Sequence, residues 1–557
     1  MRKCFASSAG TLLILLAIGQ AQARNTPSSR PSEQPTPLPE FSSPATAAPF
    51  VLPPVTEPPN TITTGHSLFL RRVIFKGNAV ISEAELQKLA APFLRRTLDA
   101  GELEELRFQI TQYYQKRGFI NSGAIIPQQK ITDQTLEIQL IEGRITEVTV
   151  SGNERLNPDY LRYRMSDPEA PLNTQQLQER YLLLLEDPLI QSINASLKPL
   201  ANLGESALDL QVTRALPYQL AVHFNNYNPP SIGAEQMQVE TWVRNLTGWG
   251  DKLDFRFDLS EGSTNYSGGL NVPLNRYGTL FDFHFETGQS SIIEEPLNKV
   301  NITSHVLNFN STLSHPVYRD LNHSLILGAS FANRRNQTEV LNLDYSFVQN
   351  LATGETKVSV LRLFQEYLGR FDAHVLAFRS TFSTGLNVFN PTIQASQDLA
   401  DSKYFAWLGQ LQYAYKLLEN GTQLRLRGNL QLSDQPLLAQ EKIAVGGVFS
   451  VRGYRENELV RDQGYNGSIE FNIPVYKGES GFIHQLALVP FMDYGSAWNH
   501  HQAADYLHSI GIGFNWQLTR HMKADFYYAH ALNTPRPKPQ HNLQDDGIYF
   551  NVSLFAF

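Results

Sequence analysis

The residues with most chemistry to offer lie late in the chain. Gly446-Gly447-Val448-Phe449-Ser450-Val451-Arg452-Gly453-Tyr454 sets one arginine among small and aromatic neighbours inside a long connection, 434–465. Further on, Phe491-Met492-Asp493-Tyr494-Gly495 flanks a carboxylate with large apolar side chains. In extended chain, alternate residues point to opposite faces. Asn466, Ser468, Glu470 and Asn472 then share one face opposite Ile469, Phe471 and Ile473. Leu486, Leu488, Met492 and Tyr494 likewise turn Asp493 away from the apolar side. Two carboxylates turned away from the apolar side are costly to bury unless wet or paired. Arg452 is the natural partner, since a guanidinium binds a carboxylate through two parallel hydrogen bonds. Gly453 lets the chain turn tightly against the wall. The chemistry implied is recognition rather than bond making. The pair is either a reversible latch, broken when a substrate engages, or a static brace.

Other chemistries find little support. No G-x-S-x-G elbow, H-E-x-x-H pair or phosphate-binding glycine loop occurs. His500, His501, Asp505 and His508 read as solvated loop residues rather than a metal site. The expectation is no enzyme, no metal and no cofactor. With 46 Lys+Arg against 53 Asp+Glu the net charge is −7, so no basic surface for nucleic acid is foreseen. Charged residues make up 18% of the chain, against about 25% in ordinary soluble domains. Past residue 18 no apolar run approaches the ~20 residues a spanning helix needs, which excludes a polytopic helical membrane protein.

The elements that position these residues follow from the change in pattern along the chain. Arg2 and Lys3, the apolar run Thr11 to Ile18 and Ala21-Gln22-Ala23 make a secretory signal peptide, 1–23, with Cys4, the only cysteine, inside it. Residues 24–66 are rich in Pro, Ser and Thr and read as an extended, disordered tether. From 67 a strand Arg71–Lys76 is followed by Gly77-Asn78, a capping box of Ser82 with Glu85 opening a helix to Leu94, and a second helix with Leu103, Leu106, Ile110, Tyr113 and Tyr114 inward. Strands at Ala124–Pro127 and Thr135–Ile141 complete a β-α-α-β-β unit, 67–143. The order recurs over 144–216, with Ser151-Gly152-Asn153 in the place of Lys76-Gly77-Asn78. Each unit leaves a sheet edge able to accept an extended chain.

From 217 to 557 helical periodicity gives way to strict alternation, as in Leu253, Phe255, Phe257 and Leu259 against Asp254, Arg256 and Asp258. Large apolar residues on one face and charge on the other indicate a transmembrane β-barrel with a wet lumen. Sixteen strands are expected, the alternating stretch Leu341 to Phe347 being assigned to a hairpin in the fourth external loop. Asn245 to Asp251 and Tyr367 to Arg370 are short periplasmic turns. Ser383 to Ser402 and Asp434 to Tyr465 are long external loops. Near the C-terminus Phe555 and Phe557 leave the face of Ile548, Phe550, Val552 and Leu554, which suggests a bulge or frayed end.

Val-Arg-Gly-Tyr between the eleventh and twelfth strands, followed by F-x-D-x-G one strand later, resembles the signature of the POTRA-plus-barrel transporter superfamily. Glu470 with Pro474 also matches its pattern. Two repeats behind a proline-rich extension resemble its two-partner secretion branch, the hemolysin and adhesin transporters. The resemblance covers the chain from about residue 67. It implies an α+β pair of POTRA domains followed by an all-β, 16-stranded barrel with an inward-folded loop, in the outer membrane of a Gram-negative cell with the repeats in the periplasm. It implies export of an unfolded exoprotein, with Arg452, Asp493, Glu470, Val451, Gly453, Tyr454, Phe491 and Gly495 as gating residues. Partners are then the secreted exoprotein, the bilayer and, through the last strand, the barrel-assembly machinery, with the transporter a monomer. The tether has too much proline for the lumen plug helix common in this branch. The alternatives are a factor that inserts other barrels, whose relatives carry more repeats, and a passive porin, which would lack them.

Overall fold

The computed structural model describes residues 67–557 apart from 352, 397, 479–483, 534–539 and 557. The expected signal peptide and tether, the prolines 535, 537 and 539, and Phe557 lie outside the described residues. The chain divides into two units between Ala215 and Leu216.

The first unit holds both repeats. In the first, β1 (Leu68–Leu70), β2 (Arg72–Lys76), α1 (Glu83–Ala90), β3 (Arg96–Leu98), α2 (Ala100–Lys116), β4 (Gly123–Ile125) and β5 (Thr135–Ile141) follow in order. β2 runs parallel to β5, which pairs antiparallel with β4. Leu86 of α1 and Leu106, Ile110 and Tyr114 of α2 pack with Val73, Phe75, Leu136, Ile138 and Leu140 of the sheet. Burying each such side chain contributes roughly 1.5–3 kcal/mol. Ser82 and Glu85 close the capping box. α1 ends at Ala90, earlier than the expected Leu94, and a 3₁₀ turn carries the chain through Ala91–Phe93. Pro92 explains the stop, because it has no N–H to continue the ladder. The small antiparallel pair β1–β3 was not foreseen. Three residues are too few for alternation to be legible.

The second repeat runs β6 (Arg144–Ser151), α3 (Pro158–Met165), α4 (Thr174–Leu185), β7 (Ile190–Pro199) and β8 (Glu205–Arg214), with β6 parallel to β8 and β7 antiparallel. The repeated Gly-Asn does the same work in both. Gly77 and Gly152 have φ of +84° and +74°. A Cβ on them would sit 2.5 Å from the Leu140 carbonyl oxygen and 2.2 Å from that of Val212. Asn78 and Asn153 then donate to the carbonyls of Ile81 and Leu156, at 3.1 and 2.5 Å, closing the turn into the helix.

The second unit is a closed antiparallel barrel. Its strands are β9 (Tyr218–Asn225), β10 (Gln236–Arg244), β11 (Lys252–Ser260), β12 (Ser263–Pro273), β13 (Leu280–Ser291), β14 (Ile302–Arg319), β15 (His323–Val340), β17 (Glu355–Arg370), β18 (His374–Gly385), β19 (Phe405–Lys416), β20 (Gln423–Ser433), β23 (Gln463–Lys477), β24 (Gln485–Trp498), β25 (Asp505–Thr519), β26 (Met522–Ala531) and β27 (Ile548–Phe555). The short β16 (Leu343–Asp344) pairs only with β15 while β17 pairs β15 directly, so the wall has sixteen strands and Leu341 to Phe347 belongs to a loop hairpin. β27 closes the ring on β9. Leu253, Phe255 and Leu259 are exposed on the outer face, where lipid replaces water.

The structure corrects several expectations. β14 and β15 are each 18 residues long, beyond 301–313 and 322–334, over which the alternation of the sequence places them. Asn333 to Glu339 contain no apolar side chain yet keep the ladder with β14, and Arg334 among them is buried on the inner side. Tyr367 to Arg370 belongs to β17, and the turn follows it at 371–373. The register of β27 against β9 is unbroken through Phe555, so the suggested bulge is absent. Phe555 packs edge-on against the His223 ring at 6.1 Å, and Leu554 remains outward and exposed.

Candidate functional site

Between β20 and β23 the chain folds into the barrel instead of away from it. Leu437 and Leu438 pack with Ala332, Val358, Val360 and Ala406 from strands of the wall and with Tyr404 just before β19. A two-stranded ribbon follows, β21 (Ile443–Val445) against β22 (Leu459–Arg461). It carries a tip, 446–458, that contains Arg452. Gly446, Gly447 and Gly453 have φ of +116°, +98° and +91°, a region L-residues avoid, which is how the tip reverses direction in so few residues.

Arg452 is buried and meets Asp493 through two parallel bonds, Nε to Oδ2 and Nη2 to Oδ1, both 2.7 Å. Its backbone N–H adds a third at 3.0 Å. Nη2 also reaches Glu470 Oε1 at 2.7 Å and donates to Ser468 Oγ at 2.9 Å. Ser468 lies opposite Asp493 in the β23–β24 register and donates to its Oδ1 at 2.6 Å. Arg427 Nη2, 2.9 Å from Glu470, supplies that carboxylate with a second cation. The guanidinium carbon of Arg452 stands 3.4 Å from the Phe491 ring centroid, so the ring face meets the charge. Removing one partner from such a buried set costs about 3–5 kcal/mol, because the other charge is left uncompensated.

The remaining expected residues surround this contact. Val451 is fully buried with Val445, Tyr454, Leu459 and Leu507. Gly495 makes room for them, since a Cβ there would lie 2.6 Å from Val445 Cγ1 and 2.8 Å from Val451 Cγ2. Gly453 N–H donates to Tyr549 Oη at 2.9 Å, and Tyr454 Oη donates to the His508 carbonyl at 2.9 Å. The structure thus brings together Arg452, Asp493, Glu470, Val451, Gly453, Tyr454, Phe491 and Gly495. The His500 to His508 group is not assembled in the same way. His500 faces Ser433 Oγ at 3.2 Å, and no candidate metal cluster occurs among the described residues.

Several anchors escaped the sequence reading. Arg455 binds Asp545 through Nε and Nη2, both 2.7 Å, and Glu294 through Nη1 at 2.6 Å, tying the tip to two external loops. Glu441, at the root of the inward loop, pairs with Arg362 at 2.7 Å and Arg334 at 3.3 Å and accepts a bond from Tyr404 Oη at 2.7 Å. Tyr549 faces the lumen on β27. Arg455 stands three residues after Arg452, which was the one local hint. The partners of Glu441 lie on strands remote in sequence.

Comparison with known proteins adds the lineage. The family model described as haemolysin secretion/activation protein ShlB/FhaC/HecB matches residues 204–518, and that of the ShlB-type POTRA domain matches 68–143. HuxB, the heme/hemopexin transporter protein of Haemophilus influenzae, is 23% identical over 447 residues, covering 76% of this chain and 74% of that protein. The outer membrane transporter CdiB of Dickeya dadantii is 22% identical over 455 residues, covering 79% of this chain and 78% of its own. The solved structure of CdiB from Escherichia coli superposes with a TM-score of 0.70 at 18% identity, over 92% of this chain and 94% of that one.

Proposed function

Because this chain belongs to the haemolysin secretion/activation family, we propose that it carries one hemolysin- or adhesin-like exoprotein, unfolded, from the periplasm through its barrel, with the inward loop as the gate. It is an outer-membrane transporter of the two-partner secretion type, and its POTRA region is periplasmic. In this reading 67–143 and 144–216 are the two docking repeats, and 217–557 is the conduit. The exposed sheet edges of the repeats bind the substrate as an added strand. Folding outside the cell supplies direction without nucleotide. The chain acts as a monomer without cofactor, catalytic step or nucleic acid, and its last strand is read by the barrel-assembly machinery when it is itself inserted.

The observation that supports gating is the Arg452–Asp493 pair. It closes a long loop across the lumen by contacts that one guanidinium can make or release together. The test compares culture supernatants and outer membranes of wild type, a deletion strain and Arg452→Ala. One large secreted protein is expected to vanish in the deletion and to fall in the variant while the barrel remains folded. Unchanged supernatants with depleted outer-membrane proteins would instead make the chain an insertion factor. Full secretion by Arg452→Ala would reduce the pair to a brace.

A further inference from the structure

The inward loop is held at both ends, and the two ends lie against different parts of the wall. At the tip, Arg452 is fixed to β24 through Asp493 and to β23 through Glu470 and Ser468, Gly453 is fixed to β27 through Tyr549, and Arg455 is fixed to two loops through Asp545 and Glu294. At the root, Glu441 is fixed to Arg362 of β17, Arg334 of β15 and Tyr404 just before β19. Gln440 adds a bond from Nε2 to Thr356 Oγ1 at 2.7 Å, and Arg334 Nη1 donates to the Gln440 carbonyl at 2.9 Å. β17 and β27 are the eighth and sixteenth strands of the closed wall, so they face each other across the lumen.

The two sets share no side chain. A second carboxylate, Asp462, secures the foot of the ribbon: it accepts from the backbone N–H groups of Leu437 and His500, at 2.9 and 3.2 Å, and meets Lys442 Nζ at 3.1 Å. Gln431 Nε2 donates to the carbonyls of both Glu441 and Asp462 at 3.0 Å, fastening root and foot to β20. Breaking the Arg452 contacts therefore leaves every root contact intact.

We propose that Glu441 is a positioning residue for the gate: with Arg362 and Arg334 it is the stationary end of the inward loop, and the gate opens by movement of the tip, 446–458, about the ribbon. The proposal rests on the latch reading of Arg452. It places the displacement beside β23, β24 and β27 and leaves the loop root against β15 and β17 throughout export.

Spin-label distances on the full-length protein in lipid test it, with Cys4 replaced by serine. One label sits at Ala439 in the root or at Asn457 in the tip, each paired with a label at Tyr506 on β25. In wild type both distances are expected to be single and narrow. Arg452→Ala combined with Arg455→Ala, which also releases the tip from Asp545 and Glu294, is expected to abolish the narrow Asn457 distance and leave that of Ala439 unchanged. Glu441→Gln is expected to abolish the narrow Ala439 distance, and Glu441→Asp, which keeps the charge, to restore it. Tyr404→Phe, which removes one bond to Glu441 and no charge, serves if Glu441→Gln fails to fold, with a partial broadening at Ala439 expected. Broadening at Ala439 in Arg452→Ala would overturn the stationary root while leaving the latch in place. An unmoved Asn457 distance in the Arg452→Ala and Arg455→Ala double variant would overturn the latch and the proposal with it. A root that stays narrow in Glu441→Gln, or in the Tyr404→Phe substitute, would overturn the assignment to Glu441.

Discussion

Arg452 shows how much one side chain can concentrate. It spends its donors on two carboxylates and a hydroxyl while its flat face lies on Phe491. A lysine carries the charge but neither the fork nor the stack. Arg452→Lys is accordingly expected to secrete at a level between wild type and Arg452→Ala. Losing contacts worth about 3 kcal/mol shifts the closed-to-open balance by roughly a hundredfold, which single-channel recordings of Arg452→Ala should register as frequent opening. Gly495 offers an independent route to the same state. Gly495→Val drives a side chain into Val445 and Val451 without touching a charge, and the same opening frequency is expected from it. A different residue carries a pH response. Glu85 accepts from Arg117 at 2.7 Å and from Ser82 Oγ at 2.8 Å, and the guanidinium first and the hydroxyl second hold its carboxyl down to about 2 from 4.5. A depressed carboxylate stabilises fully above its unfolded pKa and ceases to as pH falls through the folded one. The bond is therefore intact at neutral pH and fades between pH 4.5 and 2. Pepsin cleavage within 83–116, as a ratio of wild type to Glu85→Gln, should rise across that window and stay level above it.

The elements differ in how openly the chain declares them. Thr135–Ile141 falls where its pattern places it, because one buried face repeats over several pleats. α1 stops early at a proline, and β1 and β3 are too short to carry a period. The joint between the repeats was not legible at all. Asn173 caps α4 by accepting from Gln175 N and Gln176 N, and its Nδ2 donates to the Arg117 carbonyl at 3.0 Å, at the end of α2. Asn121 Nδ2 reaches Gly204 O and Ser206 Oγ, both 3.1 Å. Gly143 lies so close to Asn121 that a Cβ would fall 2.3 Å from its Cγ. Asn173→Ala should lose about 1 kcal/mol of cap together with the bond to Arg117, and tryptic cleavage at Arg117 of the full-length protein should accelerate. Cleavage at the wild-type rate would mean that the joint is held elsewhere.

At the scale of the molecule, the inward loop is a separable part of a wall that closes without it. All sixteen strands pair along the ring, ending in the seam of Ala221–Asn225 with Asn551–Phe555. Deleting 446–458 and joining Val445 to Leu459 across the ribbon should leave a folded, heat-modifiable barrel and raise its conductance in planar bilayers. An unfolded product would show that the loop is part of the barrel's stability. The sequence alone determined the architecture here: the two repeats, the sixteen strands, the inner and outer faces of the strands that alternate strictly, and the identity of the Arg452–Asp493 pair. These follow from local periodicity and short motifs, which burial and backbone geometry impose residue by residue. Only the tertiary structure decided what Glu441, Arg455, Tyr549 and Asn173 do. Each meets partners brought near by ring closure or by the stacking of repeats, and contacts between segments so remote leave no period in the chain. Arg452 could be paired in advance because its partner sits on a strand whose alternation points it inward. Glu441 meets arginines on strands remote in sequence, and only the closed wall brings them to it.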